Sequence, residues 1–128
     1  MKEVLIIVRQ DKVSKTKVAL TEAGILGFTC RKCMGRGKKL FSPDLYSVLD
    51  NGDVPTNSIG ECFTEGSRLI PKRLFVIMAQ DEDVEKIIEA TMEVNSTGNP
   101  GDGKIFVMPV VTSYRIRDGK QQDDSDSY

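Results

Sequence analysis

The chain has no histidine, no tryptophan, only three cysteines and few aromatics of any kind. Histidine is the side chain that ordinarily changes charge near neutral pH, so its absence removes the usual general base and argues against a Ser-His or Cys-His hydrolase. Cys30 and Cys33 have the C-x-x-C spacing that invites a zinc or redox reading. If Phe28 to Met34 is a strand, however, residues three apart point to opposite faces and lie roughly 10 Å apart, beyond disulfide reach. Cys62 is the only other thiol, so a tetrahedral zinc site lacks ligands within one chain. The expectation is reduced cysteines and no metal site. Long apolar runs are also missing. Val4 to Val8 is far too short to cross a bilayer and no signal-peptide pattern precedes it, which gives the expectation of a cytoplasmic protein without membrane insertion. The net charge of −1 provides no overall field for non-specific nucleic-acid binding.

What the chain does have is glycine in particular places. Thr97-Gly98-Asn99-Pro100-Gly101-Asp102-Gly103-Lys104 runs straight into Ile105-Phe106-Val107. Three glycines and a proline exclude helix or strand interior, and glycine's access to positive φ lets successive N–H groups face one concavity, a nest for an anion. Lys104 adds a counter-charge. Gly98-x-x-x-x-Gly103-Lys104 also matches most of a Walker A pattern, but Ile105 stands where that motif needs a Mg²⁺-binding Ser or Thr. A Walker loop opens a helix, whereas Ile105 to Val111 is rich in β-branched residues and reads as a strand. Phosphate binding therefore survives and the P-loop NTPase fold does not. Asp102-Gly103 reads equally as a plain turn. A second meeting of glycine with positive charge is Gly35-Arg36-Gly37-Lys38-Lys39, part of a basic cluster with Arg31 and Lys32 that, taken alone, reads more readily as solvated surface.

A chain of 128 residues fits one domain, expected over residues 1–118, with 119–128 an acidic disordered tail. Glu3 to Arg9 reads as a central strand, apolar on both faces. Asp11 or Ser14 can cap a helix whose Val13, Thr16, Leu20 and Ala23 share a face, with Gly24 ending it. Phe28 to Gly35 is a second strand. The stretch of about 38–70 has no sustained period and reads as a mobile, partner-facing loop. Leu69 to Ala79 returns to strand, with Pro71 at its entrance. Asp81-Glu82-Asp83 starts a second helix striped by Val84, Ile87, Ile88, Thr91 and Met92. A last strand follows the glycine loop, with Arg115 and Arg117 projecting from one face. The order βαββαβ specifies an α+β, ferredoxin-like antiparallel sheet backed on one face by two helices.

Thr97-Gly98 with Gly101-Asp102-Gly103-Lys104-Ile105-Phe106-Val107 resembles the C-terminal signature of the PII proteins, which report nitrogen status. Gly24-Ile25-x-Gly27-Phe28-Thr29, Gly35-x-Gly37, Pro71-Lys72 and Arg115-Ile116-Arg117 resemble other parts of the same family. The resemblance covers nearly the whole folded core. It implies a homotrimer, or a hetero-oligomer with a paralogous subunit, with an ATP or ADP site in each cleft between subunits. Gly101, Asp102, Gly103 and Lys104 would line the phosphate side; Arg115, Arg117 and Lys38 would reach the phosphates; Thr29 and Gly35 would lie near the base and sugar, and Gly37 would also belong to the nucleotide site. It also implies 2-oxoglutarate at Gly37, Lys39 and Lys72. Lys39 stands where the family usually has a glutamine that helps hold Mg²⁺. A protonated lysine cannot coordinate a metal, so this departure argues against a Mg²⁺ bridge and for direct pairing with a carboxylate.

The 38–70 loop is longer than the family's usual T-loop, and no tyrosine in it convincingly matches the one that is uridylylated. It looks like the branch encoded beside nitrogenase in archaea and some anaerobic bacteria. The resemblance thus implies a non-enzymatic sensor acting on nitrogenase. Alternatives are a regulator of glutamine synthetase or ammonium transport and, more distantly, an RRM-like RNA-binding module, which shares the βαββαβ order but needs stacking aromatics on its central strands.

Overall fold

A computed structural model describes residues 1–37 and 69–123. Strand β1 (Lys2–Arg9) alternates between buried Val4, Ile6 and Val8 and half-buried Leu5 and Ile7, because successive strand residues face opposite sides of a sheet. It pairs antiparallel with β3 (Ile70–Ala79) on one side and β4 (Gly103–Pro109) on the other, while β2 (Thr29–Gly35) flanks β3. The order β2-β3-β1-β4 puts the first and third strands at the centre, as the ferredoxin-like reading requires. Helices α1 (Val13–Glu22) and α2 (Val84–Asn95) cover one face. There Ile6 lies between Phe75 and Ile105, Val4 lies beside Ile77, and Leu20 and Ile87 close the core from the helices. Phe28 meets the Phe75 ring edge-on, 5.6 Å between centroids. The opposite face carries Leu5, Ile7, Leu74, Val76 and Phe106, with Phe106 44% exposed.

Neither helix begins as its sequence suggests. Asp11 and Ser14 do not cap α1; a 3-10 turn over Gln10–Lys12 leads in, with no side-chain cap bond. A second 3-10 turn, Asp81–Asp83, precedes α2, and the Asp83 N–H donates to the Gln80 carbonyl at 3.0 Å. Such i→i+3 bonds employ N–H groups that a capping side chain would otherwise satisfy. The end of α1 follows expectation. Gly24 has φ +86°, its N–H donates to the Thr21 carbonyl at 3.0 Å, and the Ile25 N–H donates to the Leu20 carbonyl at 2.9 Å. This pair of bonds is a Schellman cap, which favours glycine at its left-handed position.

The two helices meet along a polar seam. Thr16, Thr91 and Asn95 are all buried, and the Asn95 Nδ2 donates to the Thr16 Oγ1 and to the Thr91 carbonyl, each at 3.0 Å. Met92 lies outside that seam, 53% exposed, so the buried line on α2 runs Ile87–Thr91–Asn95 at four-residue steps. Asn95 Nδ2 thus links the two helices, whereas Asn95 Oδ1 and Thr91 Oγ1 are buried there without a hydrogen-bond partner.

The chain after β4 departs most from expectation. The single strand expected from Ile105 through Arg117 stops at Pro109, opposite Lys2 at the start of β1, with one further backbone bond from the Val110 N–H to the Met1 carbonyl at 3.2 Å. Residues β5 (Ser113–Arg115) and β6 (Lys120–Gln122) then form a separate two-stranded sheet. Arg115 therefore sits on a strand and Arg117 in the turn, so they do not share one strand face. Lys120–Gln122 is ordered as β6, although the tail was expected to be disordered from Gly119; Asp118-Gly119, with φ +68° at the glycine, makes the reversal. Lys38, Lys39, Cys62 and most of the expected 38–70 loop lie outside the described residues, as does 124–128. Cys30 and Cys33 are free thiols. Among the described residues, no helix is long and apolar enough to cross a membrane.

Ile87, fully buried between α2 and the sheet, should lose about 2–5 kcal/mol of stability on truncation to alanine. Exposed Glu89→Ala on the same helix should change it by less than about 0.5 kcal/mol. Equilibrium urea denaturation of the two variants measures the contrast.

Candidate functional site

Leaving α2, the chain folds the Thr97–Lys104 loop around a single carboxylate. Asp102 accepts the Thr97 N–H at 2.7 Å, the Thr97 hydroxyl, and the Gly98 N–H at 3.1 Å; the Thr97 Oγ1 in turn accepts the Asn99 N–H at 3.3 Å. Gly98, Gly101 and Gly103 all have positive φ, at +80°, +98° and +121°. The constraint is strictest at Gly103, where a Cβ would come within 1.9 Å of the Ile7 carbonyl oxygen. Only glycine fits against β1 there. The expected anion nest is thus partly filled from within, since the N–H groups of Thr97 and Gly98 are already engaged by Asp102.

Two cations clamp this loop from the sheet. Arg9 pairs with Asp102, Nη1 to Oδ1 at 3.1 Å, and its Nη2 donates to the Pro100 carbonyl at 3.2 Å. Lys72 donates from Nζ to the Gly101 carbonyl at 3.1 Å. The Asp102 carboxyl is held below the ordinary carboxylate range, first by the Thr97 hydroxyl, then by the Thr97 N–H, with Arg9 and the Gly98 N–H adding to this and burial opposing it.

Strand register explains why these charges meet. Arg9 on β1 lies directly opposite Lys72 on β3, and Ile7, two residues earlier on the same face, lies opposite Lys104 on β4. Arg9, Lys72 and Lys104 therefore share one end of the helix-free face. Directly opposed like charges destabilise a sheet, and here Arg9 and Lys72 are both turned to oxygen acceptors on the loop. An arriving anion would find the same cations. Arg9 was missed in the sequence because no motif contains it; the available cue was a lone cation ending an otherwise apolar strand.

The other expected site residues are more dispersed. Thr29 and Gly35 occupy opposite ends of β2, Thr29 opposite Val76 and Gly35 opposite Ile70. Six residue steps along the strand separate them by roughly 20 Å. Gly37 follows β2 and is exposed; a Cβ at Gly35 or Gly37 would meet nothing within 4 Å. Arg115 is engaged by Asp118, and Arg117 is exposed in the hairpin turn. Lys38 and Lys39 fall outside the described residues. No group of His, Cys, Asp and Glu suited to a metal ion occurs among the described residues. On the helix-free face β1 and β3 present Leu5, Ile7, Leu74 and Val76, while Phe75 is buried under the helices, so the central strands offer no aromatic platform for RNA bases. The arrangement can hold an anion through backbone N–H groups, lysine and arginine.

Comparison with known proteins identifies the family. Residues 1–120 match the family described as nitrogen regulatory protein P-II. A "nitrogen fixation nifHD region GlnB-like protein 2" of Methanothermobacter marburgensis is 40% identical over 120 residues, covering 93% of this chain and 94% of that one. A protein of the same name from Methanothermococcus thermolithotrophicus is 41% identical over 124 residues, covering 94% of each chain. A "nitrogen regulatory protein P-II 2" of Methanothermobacter thermautotrophicus is 34% identical over 120 residues, covering 94% of this chain and 92% of its own.

The lowered pKa of Asp102 fixes the sign of a pH effect. The ties to Thr97 and Gly98 are complete above the ordinary carboxylate pKa and are lost as pH falls through the lowered folded value. In an NMR titration the Thr97 and Gly98 amides should move together with a midpoint below about 3.9, and Asp102→Asn should abolish that transition. A midpoint at or above the ordinary value would contradict the assignment.

Proposed function

The chain belongs to the nitrogen regulatory P-II family, and from that premise we propose that it is a non-enzymatic sensor of ATP or ADP and of 2-oxoglutarate. A role in nitrogen-regulatory signalling follows from the family itself. The finer reading rests on one observation above all: a loop with three left-handed glycines is braced against a sheet end where Arg9, Lys72 and Lys104 come together. Charge-assisted bonds from such groups are the stronger kind for polyphosphates and dicarboxylates. Gly101, Gly103 and Lys104 contact the phosphates in this reading. Asp102 acts by holding the loop in shape.

The separation of Thr29 from Gly35 supports a site shared between protomers. Two residues roughly 20 Å apart on one strand cannot both enclose one nucleoside, so a site using both draws them from different copies. The apolar, helix-free sheet face offers a surface for that association, and a trimer closes it into a ring. Lys72, with Arg9 directly opposite, suits the carboxylates of 2-oxoglutarate, and Lys39 would pair with a carboxylate directly, without Mg²⁺.

Ligands shift a conformational equilibrium only by their differential affinity for its states. In this reading nucleotide and 2-oxoglutarate bias the 38–70 segment, which engages or releases an enzyme. The nif-region names of the relatives support nitrogenase as that enzyme. The absence of histidine and of a Ser or Thr after Lys104 supports sensing over catalysis.

Isothermal titration with ATP, with and without 2-oxoglutarate, should show saturable binding and mutual dependence of the two ligands; no heat and no displacement in either case would reject the sensor. Lys104→Ala should weaken ATP binding at least about tenfold while the circular dichroism spectrum stays unchanged.

A further inference from the structure

The guanidinium of Arg115 is already bound within its own hairpin. Its Nε donates to both oxygens of Asp118, at 3.2 and 3.1 Å, and its Nη2 donates to Oδ2 at 2.6 Å. This is the side-on fork geometry by which arginine also grips a phosphate. The Asp118 carboxylate is fixed from behind as well, accepting the Lys120 N–H at 3.1 Å, and the turn is closed by the Gly119 N–H to the Arg115 carbonyl at 2.8 Å. Both side chains are about one-third exposed, so water and solutes reach the pair.

We propose that Asp118 is an internal competitor for Arg115, so that a nucleotide phosphate must displace the Asp118 carboxylate to gain the side-on edge of that arginine. The proposal rests on the nucleotide-sensor reading together with the expectation, implied by the PII resemblance, that Arg115 reaches the phosphates. Asp118 is a positioning residue: it acts on the ligand only through Arg115. The two hydrogen-bond partners of the exchange are alike in chemistry, a carboxylate within the turn and a phosphate from outside, and the outcome is set by their relative charge. A carboxylate carries one negative charge, whereas the terminal phosphates of ATP and ADP present more charge and further acceptor oxygens to the same arginine. Such a contact attenuates binding without blocking it, and it weighs most heavily against ligands with little phosphate charge. The carboxyl of Asp118 is held below its ordinary range, chiefly by Arg115, the direction expected of a carboxylate gripped by a guanidinium.

Exposed ion pairs contribute modestly, which sets the expected effect at about three- to fivefold in affinity. The test is a calorimetric titration of ATP, ADP and AMP into the full chain and into Asp118→Asn, Asp118→Ala, Arg115→Ala and the double variant Asp118→Ala/Arg115→Ala. Asn keeps an acceptor for the Lys120 N–H and so preserves the turn, while Ala removes the competing oxygens altogether. The expected result is about three- to fivefold tighter ATP and ADP binding in Asp118→Ala, a gain of the same sign in Asp118→Asn, and no gain once Arg115 is absent. A wild-type chain that binds ATP while both Asp118 variants bind it equally or more weakly would overturn the proposal and leave the nucleotide site standing. A gain that persists without Arg115 would overturn it too. No ATP binding by any of the chains would overturn the nucleotide reading itself, and this proposal with it.

Discussion

The carboxylate of Asp102 is the interaction on which the site depends. It gathers two backbone N–H groups and a hydroxyl from Thr97 and Gly98, and it carries the charge that draws Arg9 across from β1. Without it, the Gly98–Gly103 segment is a glycine-rich stretch with little to offset its chain entropy. With it, the end of α2 is tied to the start of β4. Gly103 can then pass so close to the Ile7 carbonyl that no side chain fits between them.

Sheet register does the rest. Because β1 lies between β3 and β4, one end of its helix-free face collects Arg9, Lys72 and Lys104 from three strands. Concentrating cations in this way is unfavourable in isolation and becomes favourable with an anion present, a natural basis for a receptor whose shape responds to occupancy. Lys72 donates to the Gly101 carbonyl, so the residue proposed to meet 2-oxoglutarate touches the loop proposed to meet phosphate. Any carboxylate that draws Lys72 away changes what holds the loop. In the proposed reading this contact would give the two ligands a direct physical route to sense one another.

Much of this was legible in the sequence. The alternation in β1, the stripe through Ile87, and Gly24 as a helix stop depend on local periodicity and backbone freedom, and they give the element order and the central strands. The glycine loop also stood out as a loop, because three glycines and a proline exclude helix or strand interior, although Asp102-Gly103 reads equally as a plain turn. What was hidden depends on partners distant in sequence. Arg9 became part of the site only through its register with Lys72 and its reach to Asp102. Thr16 and Asn95 are polar, so a hydrophobic pattern cannot show that they pack together between the helices. Asp102, expected to line a ligand site, is also the loop's internal support, through bonds to Thr97 and Gly98. The hairpin was misread for a different reason: the alternation Arg115-Ile116-Arg117 imitates a strand, and it outweighed the turn signal of Asp118-Gly119 that in fact governs the backbone.

The central claim is that the Thr97–Lys104 loop, braced by Arg9 and Lys72, is a preformed receptor for anionic ligands. The most direct measurement is a residue-resolved NMR titration of the full chain, first with ATP and then with 2-oxoglutarate. The account predicts that ATP perturbs the amides of Gly101 to Lys104 most strongly, and that 2-oxoglutarate then moves Lys72 and Arg9 together with Gly101. Saturable binding that leaves the Thr97–Lys104 amides unmoved would contradict it.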